Sequence, residues 1–139
     1  MARPEMVSDD ESSASLVQRL YDAWIAGDAE TALAGIDPDI EWIEPTDTPD
    51  GQLWRGAEGV LASMAEWTQP FEDYSFEILE RLDLGEQALF GLVQRGRGRG
   101  SGAQVESWVW HLWTVKDRRA TRLEMFRDKE AALAAAGTG

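Results

Sequence analysis

Residues 105–113 read VESWVWHLW. Three of the chain's seven tryptophans and its only histidine fall within these nine positions. Successive side chains of a strand point to opposite faces. Glu106, Trp108, Trp110, Leu112 and Thr114 therefore share one face of this stretch, and Val105, Ser107, Val109, His111, Trp113 and Val115 share the other. Such a strand is either buried on both faces or borders a ligand on one of them.

The neighbouring segments continue the pattern. Tyr74, Phe76 and Ile78 alternate with Ser75 and Glu77, LGEQ (84–87) reads as a turn, and ALFGLVQR (88–95) reads as a second strand. KDRR (116–119) is a turn between the tryptophan-rich strand and TRLEMFR (121–127). Upstream, Leu16, Val17, Leu20, Tyr21 and Trp24 form one helical stripe over 12–26, ended by Gly27. Asp28 suits the cap of a short helix through AETALAG (29–35), IEWIEP (40–45) alternates as a short strand, and TDTPDGQ (46–52) follows as loop. Helical period returns from Gly56 to Trp67 with Val60, Leu61 and Met64 on one side, until Pro70. Asp128 caps a closing helix, KEAALAAAG (129–137). Helices followed by a run of antiparallel strands define an α+β fold.

Composition narrows the function. The 139 residues suit one domain with a substantial core, read here as 12–136 behind a disordered tail of 1–11. A formal charge of -13 repels phosphate backbones and anionic membranes, so no nucleic-acid or membrane role is expected. Without cysteine there are no disulfides, thiolate metal sites or cysteine nucleophiles. With a single histidine and no clustered carboxylate spacing, neither a metal nor a cofactor is expected. The opening residues have no signal-peptide core, and a cytoplasmic protein is the expectation.

The strings VQRLYDAWIAGD (17–28), DPDIEWIEP (37–45) and HLWTVKDRRATRLEMFRDKEAALAAAG (111–137), in this element order, resemble the nuclear-transport-factor-2-like superfamily in its SnoaL-like and ketosteroid-isomerase-like branch. The resemblance covers roughly 12–136. It implies a cone: a strongly curved, mostly antiparallel sheet wrapped around three N-terminal helices, with a short C-terminal helix and a pocket at the open end. It also implies a homodimer. The superfamily holds isomerases, dehydratases, cyclases, epoxide hydrolases and non-catalytic modules, so fold alone does not name the reaction.

The resemblance supplies candidate roles. In ketosteroid isomerases the proton-shuttling carboxylate sits directly before a proline on the first strand, which is the position of Glu44. A solvated glutamate at a strand end is the plainer reading. On the last strand Glu124 shares a face with Arg122 and Phe126, and the resemblance turns that face inward, making Glu124 a second acid/base candidate. The alternative for Arg122 and Glu124 is a charge pair at the pocket mouth. The family's pocket acid preceding a histidine falls at Trp110. This implies that the even face of 105–115 looks into the cone and that His111 and Trp113 face outward, towards a dimer partner.

The departures matter too. The isomerase's oxyanion-stabilising tyrosine falls at Leu20, beside Tyr21, and its second donor falls at Trp110, so steroid isomerisation itself is not expected. The water-activating Asp–Arg–Asp arrangement of limonene epoxide hydrolase also wants a carboxylate where Trp110 stands. QRGRGRGSG (94–102) looks like an RNA-binding segment, but its alternating arginines and glycines fit a bent strand better.

The expected function is therefore a pocket for a hydrophobic polycyclic, polyketide or terpenoid molecule, lined by Leu20, Tyr21, Trp24, Trp42, Trp54, Trp108, Trp110 and Phe126. Glu44 and Glu124 would perform cofactor-free isomerase, dehydratase or cyclase chemistry. The alternative is a non-catalytic ligand-binding or dimerisation module, and the 46–55 loop, with Trp54 and Arg55, is a candidate lid.

Overall fold

Ser12 opens the first helix, its side chain accepting a hydrogen bond from the Ser15 amide. In the computed structural model, residues 12–44 and 53–136 are described, apart from the Trp67 side chain. The expected tail 1–11 lies outside them, as does most of the candidate lid.

Helix α1 (Ser13–Ile25) buries Leu16, Val17 and Tyr21 and stops at Gly27, whose φ of 83° is the left-handed turn that favours glycine. Asp28 caps α2 (Ala29–Ala34) by accepting from the Thr31 amide. Strand β1 (Ile36–Ile43) begins earlier than its alternation suggests and includes Pro38. A short strand β2 (Leu53–Arg55), read from sequence as loop, pairs antiparallel with β1 through Trp42 and Trp54. Helix α3 (Gly56–Thr68) follows, then β3 (Phe71–Asp83), β4 (Gln87–Gly98), β5 (Gln104–Lys116) and β6 (Arg119–Phe126), and α4 (Lys129–Ala135) closes the fold.

The six strands form one sheet in the order β2-β1-β6-β5-β4-β3, antiparallel except where β1 lies parallel to β6. Register shifts in β3 between Glu72 and Ser75, and between Ile78 and Glu80, are the bulges that bend such a sheet. With three helices on its concave side and a short one at the end, the chain has the expected cone fold. Strand β4 takes in the arginine–glycine segment as far as Gly98, and Arg99 begins the turn into β5. Arg95 lies between Glu77 and Glu106, Arg97 meets Asp73, and Arg99 donates to the Gln69 carbonyl. Those contacts account for the motif as sheet structure.

Two hydrophobic layers hold the sheet. The larger joins α1 to the concave face through Val17, Tyr21, Ile40, Trp42, Phe90, Leu92, Val109, Trp113, Leu123 and Met125. The smaller lies on the convex face beneath α4 and contains Leu89, Trp110, Leu112 and Ala132, with Phe126 and Leu133 against them. Trp110 also lies across Gly91, its partner in register. A Cβ at Gly91 would come within 2.4 Å of the indole, so only glycine leaves room for the ring. Among the described residues no helix is long and apolar enough to cross a membrane.

Candidate functional site

From Val109 to Val115 strand β5 is covered on both faces, but the parity is the reverse of the one expected. Val109, His111 and Trp113 look into the cone, while Trp108, Trp110 and Leu112 look out. The inner residues border a cavity of about 690 Å³, which has the size of a small-molecule site. Its wall is built by Leu20, Tyr21 and Trp24 of α1, Trp42 of β1, Ser63 and Met64 of α3, Tyr74 and Phe76 of β3, Gln94 of β4 and Met125 of β6, among others. None of the described wall residues is charged.

The polar groups in this wall are mostly occupied with one another. Trp113 Nε1–H, which can only donate, points to the Tyr21 hydroxyl oxygen at 2.8 Å. The same hydroxyl lies 2.7 Å from His111 Nδ1. A hydroxyl that accepts from Trp113 still has one hydrogen, and leaving it unpaired in a buried place costs about 1–3 kcal/mol. It therefore donates to Nδ1, which makes His111 neutral with its proton on Nε2. Electrostatics agree. Burial pushes the His111 imidazole from 6.5 down to about 3, because no carboxylate in the wall offsets the lost hydration of an imidazolium. The ring keeps some accessible surface because it borders the cavity. Burial likewise raises Tyr21 above the ordinary phenol range, so its hydroxyl stays protonated.

Further round the wall, Tyr74 donates to Gln94 Oε1 at 2.6 Å. Ser63 donates to Glu44 Oε2 at 2.8 Å, and Trp54 Nε1 donates to the same oxygen at 3.0 Å. Glu44 thus stands behind the wall at the end of β1, linked to the cavity through Ser63. Trp42 Nε1–H is buried with no hydrogen-bond partner among the described residues. Fewer than three histidine or acidic side chains approach any one point closely enough to hold a metal, among the described residues.

Of the side chains expected to touch substrate, the structure brings Leu20, Tyr21, Trp24 and Trp42 together in the wall. Trp54 packs behind it and holds Glu44. Trp108, Trp110 and Phe126 are on the convex face instead. Trp110 is only 7% exposed there because α4 covers it, and Trp108, 44% exposed, stacks on it with ring centroids 5.5 Å apart. Glu124 is also outside the cavity, beside Arg122, which reaches Glu41 as well, each at 3.5 Å. They form a charge cluster, but on the convex face rather than at the pocket mouth. His111 and Trp113, expected at a dimer interface, are inside the cone and unavailable to a partner. Trp54 and Arg55 of the candidate lid form β2, while 46–52 lies outside the described residues.

The error has a physical source. Period-two alternation separates two faces but does not say which one the helices cover. The resemblance assigns Trp110 to the pocket because the family's pocket acid falls at its position, and the helix that covers it instead, α4, folds back from a distant part of the sequence. One signal was present: Gly91 opposite an aromatic position suits a ring lying flat on the sheet rather than one reaching into a cavity. His111, Trp113, Ser63, Tyr74, Gln94 and Met125 are the wall residues that the sequence reading did not assign to ligand.

The chain belongs to the SnoaL-like domain family, whose model matches residues 17–123. Solved structures share the fold. An NTF2-like protein of Burkholderia thailandensis is 24% identical with a TM-score of 0.76, the match covering 92% of this chain and 97% of that one. TerC, crystallised with polyporic acid, is 23% identical with a TM-score of 0.69 over 84% and 91%. A protein of Jannaschia sp. named for its likeness to SnoaL-like polyketide cyclases is 21% identical, with a TM-score of 0.69 over 89% and 90%. No curated protein sequence matches.

Proposed function

We propose that this chain binds a flat, neutral, largely apolar molecule in its cone and carries out cofactor-free proton-transfer chemistry on it, of the isomerase, dehydratase or cyclase type. The cavity carries the reading: about 690 Å³, walled by aromatic and aliphatic side chains, with neutral polar groups and no described charge. An ionised ligand would enter such a wall without a counter-charge and lose its hydration, whereas a polycyclic or terpenoid skeleton loses nothing there. The fold relatives named for polyketide cyclases, and the one crystallised with polyporic acid, are consistent with that ligand class.

For the chemistry, Glu44 is the acid/base group. A proton leaving the bound molecule reaches its carboxylate along the Ser63 hydrogen bond. Glu124, on the convex face, has no part in this version. A second reading, a non-catalytic ligand carrier, is favoured by one observation: no carboxylate stands in the described wall itself. Quenching of tryptophan fluorescence by a panel of steroids, aromatic polyketides and monoterpene epoxides tests the binding, with Trp24, Trp42 and Trp113 as reporters. Glu44→Gln should then abolish turnover of whichever compound reacts while leaving its affinity within about threefold. Equal loss of both would remove the base role, and saturable binding with no turnover across the class would leave the carrier.

A homodimer remains part of the proposal, with its interface moved. The convex face displays Trp108, exposed by 44%, and a second copy is the occupant that would cover it.

A further inference from the structure

We propose that His111, locked by Trp113 and Tyr21 as its Nε2–H tautomer, donates to a carbonyl oxygen of the bound molecule, so that the cavity selects ketones over the matching hydrocarbons. The inference rests on the reading of the cavity as a ligand site and adds what the ligand must carry.

The argument is one of hydrogen counting. Every hydroxyl of the wall for which a partner is described already gives its hydrogen away: Tyr21 to His111, Tyr74 to Gln94, Ser63 to Glu44 and Thr68 to the Met64 carbonyl. Three ring N–H groups of the wall remain without a partner among the described residues, on His111, Trp24 and Trp42. His111 Nε2–H has no hydrogen-bond partner there, its ring bonding only through Nδ1. Trp42 Nε1–H is sealed from the cavity although its ring borders it, whereas His111 Nε2 keeps surface that a ligand can reach. A buried donor without an acceptor is costly, and a ligand that supplies the acceptor recovers that cost. The surplus is of donors, which calls for acceptor oxygen.

The relay also decides the direction. An indole N–H cannot accept, so polarity runs one way from Trp113 through Tyr21 to His111. Each bond polarises the next, and the last hydrogen projects from Nε2. Rings on both sides hold the imidazole in place: Tyr21 stacks on it at 6.0 Å with 16° between planes, and Trp113 meets it edge-on at 6.3 Å. His111 thereby serves as a fixed neutral donor rather than as a base. Tyr21 and Trp113 are positioning residues that act through it.

Because His111 is the chain's only histidine, ¹⁵N-histidine labelling yields one imidazole to observe. In the free protein at pH 7, Nδ1 should resonate as a pyridine-like and Nε2 as a pyrrole-like nitrogen. Tyr21→Phe should move both towards the average of exchanging tautomers. Fluorenone and fluorene, which differ by one carbonyl, then serve as probes. Fluorenone should bind about 10-fold more tightly and shift Nε2 but not Nδ1. In His111→Phe the affinity ratio should fall towards one. A protonated Nδ1 in the free protein would overturn the inference before any ligand is added. Equal affinities for the two probes, with Nε2 unmoved, would overturn it while leaving the apolar pocket intact. Failure of both probes to bind would count against the pocket reading and remove the inference with it.

Discussion

The burial of His111 can be read from stability without knowing any ligand. In the unfolded chain its imidazole titrates at 6.5, and in the folded protein at about 3. Above pH 7 both states are neutral there, and the residue contributes no pH dependence. As pH falls below 6.5 the unfolded state takes up a proton that the folded state refuses, so stability is lost progressively until about pH 3. Each unit of separation is worth 1.36 kcal/mol. Between pH 7 and pH 5 the loss assigned to His111 is about 2 kcal/mol, a sizeable part of the roughly 5–15 kcal/mol that holds a domain folded.

Acid relieves the mutual repulsion of a chain of formal charge -13. That trend has the opposite sign and is shared by a variant. The titratable groups of the wall beside His111 are phenols, Tyr21 on α1 and Tyr74 on β3, and burial raises Tyr21 so that it stays protonated. Urea unfolding at pH 7, 6 and 5, followed by circular dichroism, should be run on the wild type and on His111→Gln, each referred to its own pH 7 value. The wild type should fall about 2 kcal/mol further by pH 5. Curves parallel to within about 0.5 kcal/mol would refute the picture of a neutral, desolvated imidazole with no compensating charge.

On the convex face, Trp108→Glu should leave the fold intact and convert a dimer to monomer in light scattering. A wild type that is monomeric at high micromolar concentration would end the dimer proposal. Gly91→Val drives a side chain into the Trp110 ring and should cost at least about 2 kcal/mol by overpacking, detected as a lowered Tm. A neutral result would mean that the indole does not lie flat on the sheet. Arg95→Ala should leave Tm nearly unchanged despite its two ion pairs, because all three side chains are exposed. A marked fall in Tm would show that the arginine–glycine segment does more than balance local acid.

Much of the fold was legible in local pattern. The stripe of Leu16, Val17, Tyr21 and Trp24, the caps Asp28 and Asp128, and the alternation through 74–126 depend on neighbouring residues and on backbone stereochemistry. Strand β2 was not legible, because three residues carry no periodicity and its pairing with β1 is non-local. The site was legible in kind but not in side. The resemblance implied an aromatic pocket with the end of β1 beside it, and Trp24 and Trp42 line the cavity, yet Trp110, Phe126 and Glu124 lie on the opposite face from the one assigned.

Alternation determines that Trp108 and Trp110 share one face and His111 and Trp113 the other. It is symmetric under exchange of the two faces. Only the tertiary structure breaks that symmetry, by laying α1 on one side so that Tyr21 meets Trp113 and His111, and α4 on the other so that Ala132 and Leu133 meet Trp110. The same histidine is an ordinary surface group in one arrangement and a desolvated, tautomer-fixed donor in the other. What differs is whether water or packed protein surrounds the ring.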